Sequence, residues 1–99
     1  MQNLLAKATR WVSDEPVPGW VEVEFRDADG VSHTLADKAP IFSTDLTRVR
    51  EYPVDVLVAC EVVAVHGDRI RITTERPWGV CTVEGRTEFV VHAHQLVGS

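Results

Sequence analysis

The residues best suited to binding a metal are the two histidines of His92-Ala93-His94, near the end of the chain. Side chains two positions apart on a strand share a face, so both imidazoles would point the same way, a spacing that suits zinc. A zinc site needs further ligands, and the candidates are His33, His66 and Cys81, none of which belongs to a recognisable metal-binding motif. We therefore interpret His92 and His94 as surface residues and predict no metal and no cofactor.

The two cysteines are the candidates for a nucleophile. Cys60 lies in an apolar run and is predicted to be an inert core thiol, while Cys81 lies on the opposite face from Val80 and Thr82. A nucleophile needs a base within hydrogen-bond reach, and no histidine and acid accompany either thiol in a known pattern. Phosphate-loop, nucleophile-elbow, zinc-protease and calcium-loop motifs do not occur. We predict no catalytic residue and no enzymatic activity.

The remaining candidate is a partner-binding surface on the segment GWVEVEFRD, whose alternation predicts a strand. One face carries Val21, Val23 and Phe25, and the other carries Trp20, Glu22, Glu24 and Arg26. Paired carboxylates can do acid–base chemistry when burial separates their pKa values, but Trp20 and Arg26 beside them favour a solvated or partner-facing surface. The alternatives are a solvated strand edge for the glutamates and packing against the N-terminal segment for Trp20.

A second aromatic candidate is Trp78, in Arg76-Pro77-Trp78-Gly79, a sequence typical of a type I turn. An exposed tryptophan on a rigid turn would anchor a protein partner. The alternative is that Trp78 folds back over the barrel mouth and packs opposite Val91. The predicted partner-binding residues are Trp20, Glu22, Glu24 and Trp78.

Charge narrows the class of partner. The 99 residues contain fifteen acidic and ten basic residues, for a net charge of -5, and the densest acidic patch is Glu22, Glu24, Asp27 and Asp29. This balance disfavours nucleic-acid backbones and anionic membranes, which attract clustered lysine and arginine. The natural partner of an acidic surface is a basic protein.

The sequence contains two cysteines without a CxxC pair and begins without a signal-peptide pattern. Both observations indicate the cytoplasm.

The elements that must position these residues are predicted to be strands, since valine occurs seventeen times. A three-residue loop with left-handed Gly30 keeps the first hairpin apolar on one face by pairing Val23 with Leu35 and Phe25 with His33.

The second predicted hairpin has a type II′ turn at Gly67-Asp68, which pairs Val65 with Ile70 and Val63 with Ile72. The phase switch at Glu61-Val62-Val63 predicts a bulge. A third hairpin at Glu84-Gly85 pairs Val80 with Phe89 and Trp78 with Val91.

Two segments depart from the strand pattern. Residues 1–12 have apolar residues at helical spacing (Leu4, Leu5, Ala8, Trp11, Val12), which predicts a short helix. In residues 37–53, Ser43 resembles a helix cap, which predicts one or two helical turns with Leu46 and Val49 facing the core.

The predicted fold class is all-β: a small antiparallel barrel or tight sandwich of about six strands, SH3-like or OB-like in size, with a short N-terminal helical segment. It is one domain over residues 1–99, in which residues 1–18 pack on or beside a barrel of residues 19–99.

The segments GWVEVEFRDADG…DKAPIF, YPVDVLVACEVV and ERPWGV resemble short bacterial single-domain proteins with no established activity. The resemblance implies a bacterial single-domain protein and assigns no residue a role.

Our functional hypothesis is a cytoplasmic protein-interaction module. In its most specific form, this module is an immunity or inhibitor protein for a basic partner. The alternatives are a nucleic-acid-binding barrel, for which no basic groove is apparent, and a small metal protein or enzyme built on His92 and His94. A homodimer formed by strand addition at a valine-rich edge is a further possibility.

Overall fold

Seven strands and two short helices account for the regular structure in the computed structural model, which describes residues 1–98. The strands are β1 (Gln2–Ser13), β2 (Trp20–Arg26), β3 (Ser32–Lys38), β4 (Val54–His66), β5 (Arg69–Thr73), β6 (Glu88–His92) and β7 (Leu96–Gly98). The helices are α1 (Ala39–Phe42) and a single 3₁₀ turn, Ala93–Gln95.

All strand pairs are antiparallel, in the order β3-β2-β1-β4-β5-β6, and β7 also pairs with β1. The sheet curls into a half-barrel. A bridge joins Leu35 of β3 to Thr82, in the segment before β6, and the Ala28 N–H, in the β2–β3 loop, donates a hydrogen bond to the Val90 carbonyl of β6. The all-β, barrel-like class expected from the sequence is confirmed.

The N-terminal helix expected from residues 1–12 is wrong, because these residues lie in β1, in the middle of the sheet. Burial follows the period of a strand: Leu4, Ala6 and Ala8 are buried, whereas Leu5 is 46% exposed. The apolar spacing fits a helix as well as a strand. Pairing with strands on both sides of β1 decides for the strand, since each pairing satisfies backbone groups and adds cross-strand contacts.

The β2–β3 hairpin has the predicted register, with Val23 opposite Leu35 and Phe25 opposite His33. Gly30 takes a φ of 80°, the left-handed conformation that the three-residue loop requires. The hydrophobic faces of the two strands are thereby kept on the inside of the sheet.

The β4–β5 hairpin is confirmed at its tip, where Val65 faces Ile70. The register shifts between Val62 and Ala64, which places the predicted bulge at Val63. Because the bulge takes up one residue, Ile72 lies opposite Val62, and the predicted Val63–Ile72 pair is wrong.

The third predicted hairpin is also wrong. β6 pairs with β5, which places Val91 opposite Ile70 and Phe89 opposite Ile72. Residues 80–83 form no strand and are held by Thr74, whose hydroxyl donates to the Val80 carbonyl at 2.6 Å. The poor turn residue Glu84 is consistent with this outcome, since the register depended on a two-residue turn at that position.

The segment between β3 and β4 contains the helical turn at Ala39–Phe42, earlier than predicted. Ser43 therefore follows the helix instead of capping its start. Leu46 is buried, as expected, but Val49 is 84% exposed, so its predicted core position is wrong.

Candidate partner-binding site

Trp20, the first residue of β2, lies between Ser13 of β1 and Lys38 of β3. Its side chain is half-buried. The indole Nε1 is the one buried side-chain nitrogen or oxygen in residues 1–98 without a hydrogen-bond partner. An unpaired buried donor costs about 1–3 kcal/mol relative to a satisfied one. Trp20 therefore occupies a surface position at which its polar group is unsatisfied.

Glu22 lies two residues further along the same face, opposite Arg10 of β1. Its carboxylate accepts a hydrogen bond from the Arg10 Nε and raises the pKa of that guanidinium. Glu22 is therefore neutralised by a neighbour on its own sheet.

Glu24 differs from Glu22, although it too faces a cation in the register, Lys7 of β1. The Lys7 Nζ bonds instead to Asp55 of β4, at 2.9 Å. Glu24 forms no ion pair with any residue that the structure describes. Its exposed carboxylate is available to a partner.

Glu24 also lines a cleft of about 320 Å³, which we call the β1 cleft. Its lining residues are Leu5, Ala6, Lys7, Glu24, Phe25, Arg26 and Asp55. The cleft exists because β1 changes partners along one edge. The pairing of β1 with β7 ends at Leu4, and its pairing with β2 begins only at Lys7. Leu5 and Ala6 lie in the interval between these two ladders and give the cleft an apolar floor.

The predicted acidic patch does not form as a unit. Asp27 turns inward and its Oδ2 lies 2.8 Å from the Nε2 of His33, which is buried. Asp29 bonds to Arg69 through both carboxylate oxygens, at 3.1 and 3.3 Å. The structure therefore keeps Glu22 and Glu24 on one face and uses the other two acids to hold the hairpin tip.

Trp78 lies in the loop after β5 and is 57% exposed. The neighbouring Arg76 bonds to Glu61 of β4 at 3.1 Å, which ties this loop to the sheet. Because Val91 pairs with Ile70, the predicted Trp78–Val91 pairing is wrong. Trp20 begins β2 and Trp78 lies in the loop after β5, and β1 and β4 separate these two strands in the sheet.

The histidines and cysteines that the sequence offered as metal ligands or nucleophiles form no site in the described residues. The rings of His92 and His94 stack with centroids 5.4 Å apart, and the Nδ1 of His92 lies 2.7 Å from Asp68. Within residues 1–98, no three histidine, cysteine or acidic side chains converge as metal ligands would. Both thiols are free; Cys60 lies in the core, as predicted, where burial raises its pKa to about 11.

Sequence reasoning identified Glu24 but missed the cleft beside it. The sequence places Leu5 in a predicted helix and Phe25 on the apolar face of a predicted strand, and no motif marks Asp55. No local signal was available, because Leu4, Leu5 and Ala6 are three consecutive apolar residues and the cleft depends on where the β2 and β7 ladders end.

Searches of family models, curated proteins and solved structures find no match to this chain. Among the described residues, no helix has the length and apolar character needed to cross a membrane.

Proposed function

We propose that this protein is a non-catalytic protein-interaction module that binds its partner through the outer face of β2 and the adjoining β1 cleft. The observation that supports this proposal is the combination, at one place, of a Glu24 carboxylate without an ion-pair partner among residues 1–98 and a cleft whose floor is apolar at Leu5 and Ala6. Interfaces commonly join an apolar centre to a charged, hydrated rim. Trp20 adds an aromatic side chain of the kind enriched among the residues that dominate binding energy.

The cleft suits a lysine or arginine side chain of the partner. Such a side chain would lay its methylene groups on Leu5 and Phe25 and place its charged head beside Glu24. The net charge of -5 would steer a basic protein toward this surface. The finer hypothesis of an immunity or inhibitor protein acting in the cytoplasm follows from the same chemistry: a small acidic domain that covers a basic site. Trp78 is a second, separate anchor in this hypothesis.

The test compares capture by the wild-type chain with capture by Glu24→Lys and by Glu84→Lys, each immobilised and exposed to lysate. Both substitutions change the charge by the same amount, and both glutamates are exposed. The captured protein is then purified and its affinity measured by calorimetry at two salt concentrations. We expect roughly tenfold or greater weakening by Glu24→Lys, because a like charge then faces the basic partner, and little change with Glu84→Lys.

A Trp20→Ala variant should weaken the same complex. Equal affinity for all the variants would overturn the assignment of this face. Retention of no protein by the wild-type chain would overturn the interaction-module proposal itself.

A further inference from the structure

A second cleft, of about 450 Å³, is formed by residues of β6, of β5 and of the segment just before β6, and we call it the β6 cleft. Its lining residues are Arg71, Arg86, Thr87, Glu88, Phe89 and Val90. It lies on the paired strands β5 and β6 and on the segment just before β6, and it shares no lining residue with the β1 cleft. Nothing in the proposed function depends on it.

Arg86 is fixed within this cleft. Its Nε donates to the Glu88 carbonyl at 2.8 Å, and its guanidinium carbon lies 4.9 Å from the centre of the Phe89 ring. Its backbone N–H donates to the Thr82 hydroxyl at 3.1 Å. These contacts hold the guanidinium in place while leaving its terminal nitrogens without an ion-pair partner among the described residues. A fixed guanidinium loses little conformational entropy when it binds a ligand.

Arg71 supplies a second uncompensated cation. It lies on β5 between Ala64 of β4 and Val90 of β6, so no carboxylate faces it from either neighbouring strand. Four other arginines each bond to a carboxylate: Arg10, Arg48, Arg69 and Arg76. Acids outnumber bases in this protein, yet the two arginines that line the β6 cleft form no ion pair with residues 1–98.

A backbone donor completes the set. The Val90 carbonyl accepts a hydrogen bond from Ala28, across the edge of β6 that faces away from β5. In an antiparallel strand the N–H and C=O of one residue point to the same side, so the Val90 N–H also faces this edge. Two guanidinium groups and a backbone N–H are donors that bind the oxygens of a phosphate group.

We propose that the β6 cleft binds a small molecule through its phosphate group, held by Arg71, Arg86 and the Val90 N–H. A small ligand is favoured over a nucleic acid for two reasons. The Glu88 carboxylate lines the same cleft, and the net charge of -5 opposes the approach of an extended polyanion. A single phosphate needs only the two arginines of the cleft and no further basic surface.

The test is a titration of the ¹⁵N-labelled protein with inorganic phosphate and with glycerol 3-phosphate, at constant ionic strength maintained with chloride. Saturable shifts of the backbone N–H signals of Val90 and Thr87 are expected with both phosphates. Arg71→Gln and Arg86→Gln should each weaken binding by about tenfold, because each removes a charge-assisted hydrogen bond. Arg50→Gln, which removes an exposed arginine elsewhere, is the matched control and should leave the affinity unchanged.

Glu88→Gln should tighten phosphate binding severalfold, since it removes the one carboxylate of the cleft. Arg71 is exposed, so Arg71→Gln remains informative if Arg86→Gln disturbs folding through Phe89. The proposal is overturned if chloride alone produces the same shifts, if Arg50→Gln weakens binding as much as Arg71→Gln, or if phosphate produces no shift. Binding of a single-stranded deoxythymidine oligonucleotide in preference to both phosphates would overturn it in favour of nucleic acid.

Discussion

Asp27 and His33 form a buried pair at the tip of the β2–β3 hairpin, with 2.8 Å between the carboxylate Oδ2 and the imidazole Nε2. Their side chains are 10% and 9% exposed, respectively. The imidazole packs against the rings of both Phe25 and Phe89, with centroid distances of 5.4 and 4.9 Å. The second carboxylate oxygen accepts two backbone N–H groups of the turn. One carboxylate therefore fixes the turn and also satisfies the histidine that contacts the aromatic core.

Stability at acid pH should depend on Asp27. Burial raises the pKa of its carboxyl, but the hydrogen bonds from His33 and from the turn lower it by more, so the folded-state pKa lies below its ordinary value of about 3.9. A depressed folded pKa stabilises the protein above the unfolded pKa, and this contribution is lost as pH falls through the folded pKa. We expect Asp27→Asn to lower the free energy of unfolding by about 1–3 kcal/mol at pH 7 and by less at pH 2, in urea titrations.

Asp45→Asn is the control, since Asp45 is exposed. Its pH profile should follow the wild type. If the difference between wild type and Asp27→Asn were the same at pH 7 and pH 2, the carboxylate would not be the source of the stabilisation.

Adjacent leucines of β1 should respond very differently to truncation. Leu4 is fully buried, and Leu5 lies outward at the β1 cleft with 46% exposure. Leu4→Ala should cost about 2–5 kcal/mol, and Leu5→Ala less than about 1 kcal/mol, measured by denaturant unfolding. Comparable losses would indicate that both side chains are buried, as a helix packed through both residues would require.

The sequence supports the β2–β3 hairpin because every determinant of its register is local. Alternation sets the face of Val23 and Phe25, and Gly30 fixes the loop that joins the strands. β1 could not be assigned in this way, because Leu4, Leu5 and Ala8 fit a helix as well as a strand. Its conformation depends on contacts with β4, about fifty residues away along the chain.

The candidate site was predictable to the same extent. The alternation identified Glu22 and Glu24 as outward residues, but it gave no information on their neutralisation. That depends on which cation lies across the sheet: Arg10 bonds to Glu22, whereas Lys7 bonds to Asp55 instead of Glu24. The third hairpin failed for a related reason: β6 pairs with β5, which lies outside the segment around Glu84 from which the hairpin was predicted.

Removing Trp78 should hardly affect folding. The side chain is 57% exposed and extends from a loop, so Trp78→Ala should change the free energy of unfolding by less than about 1 kcal/mol. Phe89→Ala is the comparison, since Phe89 is 1% exposed and contacts Phe25, and its loss should cost about 3–5 kcal/mol. A loss at Trp78 as large as that at Phe89 would mean that the indole covers the core.

The two thiols should react with a disulfide reagent at very different rates. Cys60 is fully buried and its pKa is raised to about 11, so at pH 8 about a thousandth of it is thiolate, and that fraction is shielded from the reagent. Cys81 is half-buried and should account for the labelling of the native protein. Cys81→Ser should therefore abolish native labelling, whereas Cys60→Ser should leave it unchanged, as followed by absorbance of the released thiolate. In urea, Cys60 should become reactive in step with unfolding, because its thiol is buried in the hydrophobic core and is exposed only when that core opens. Rapid native labelling of the Cys81→Ser variant would show that this part of the sheet opens without global unfolding.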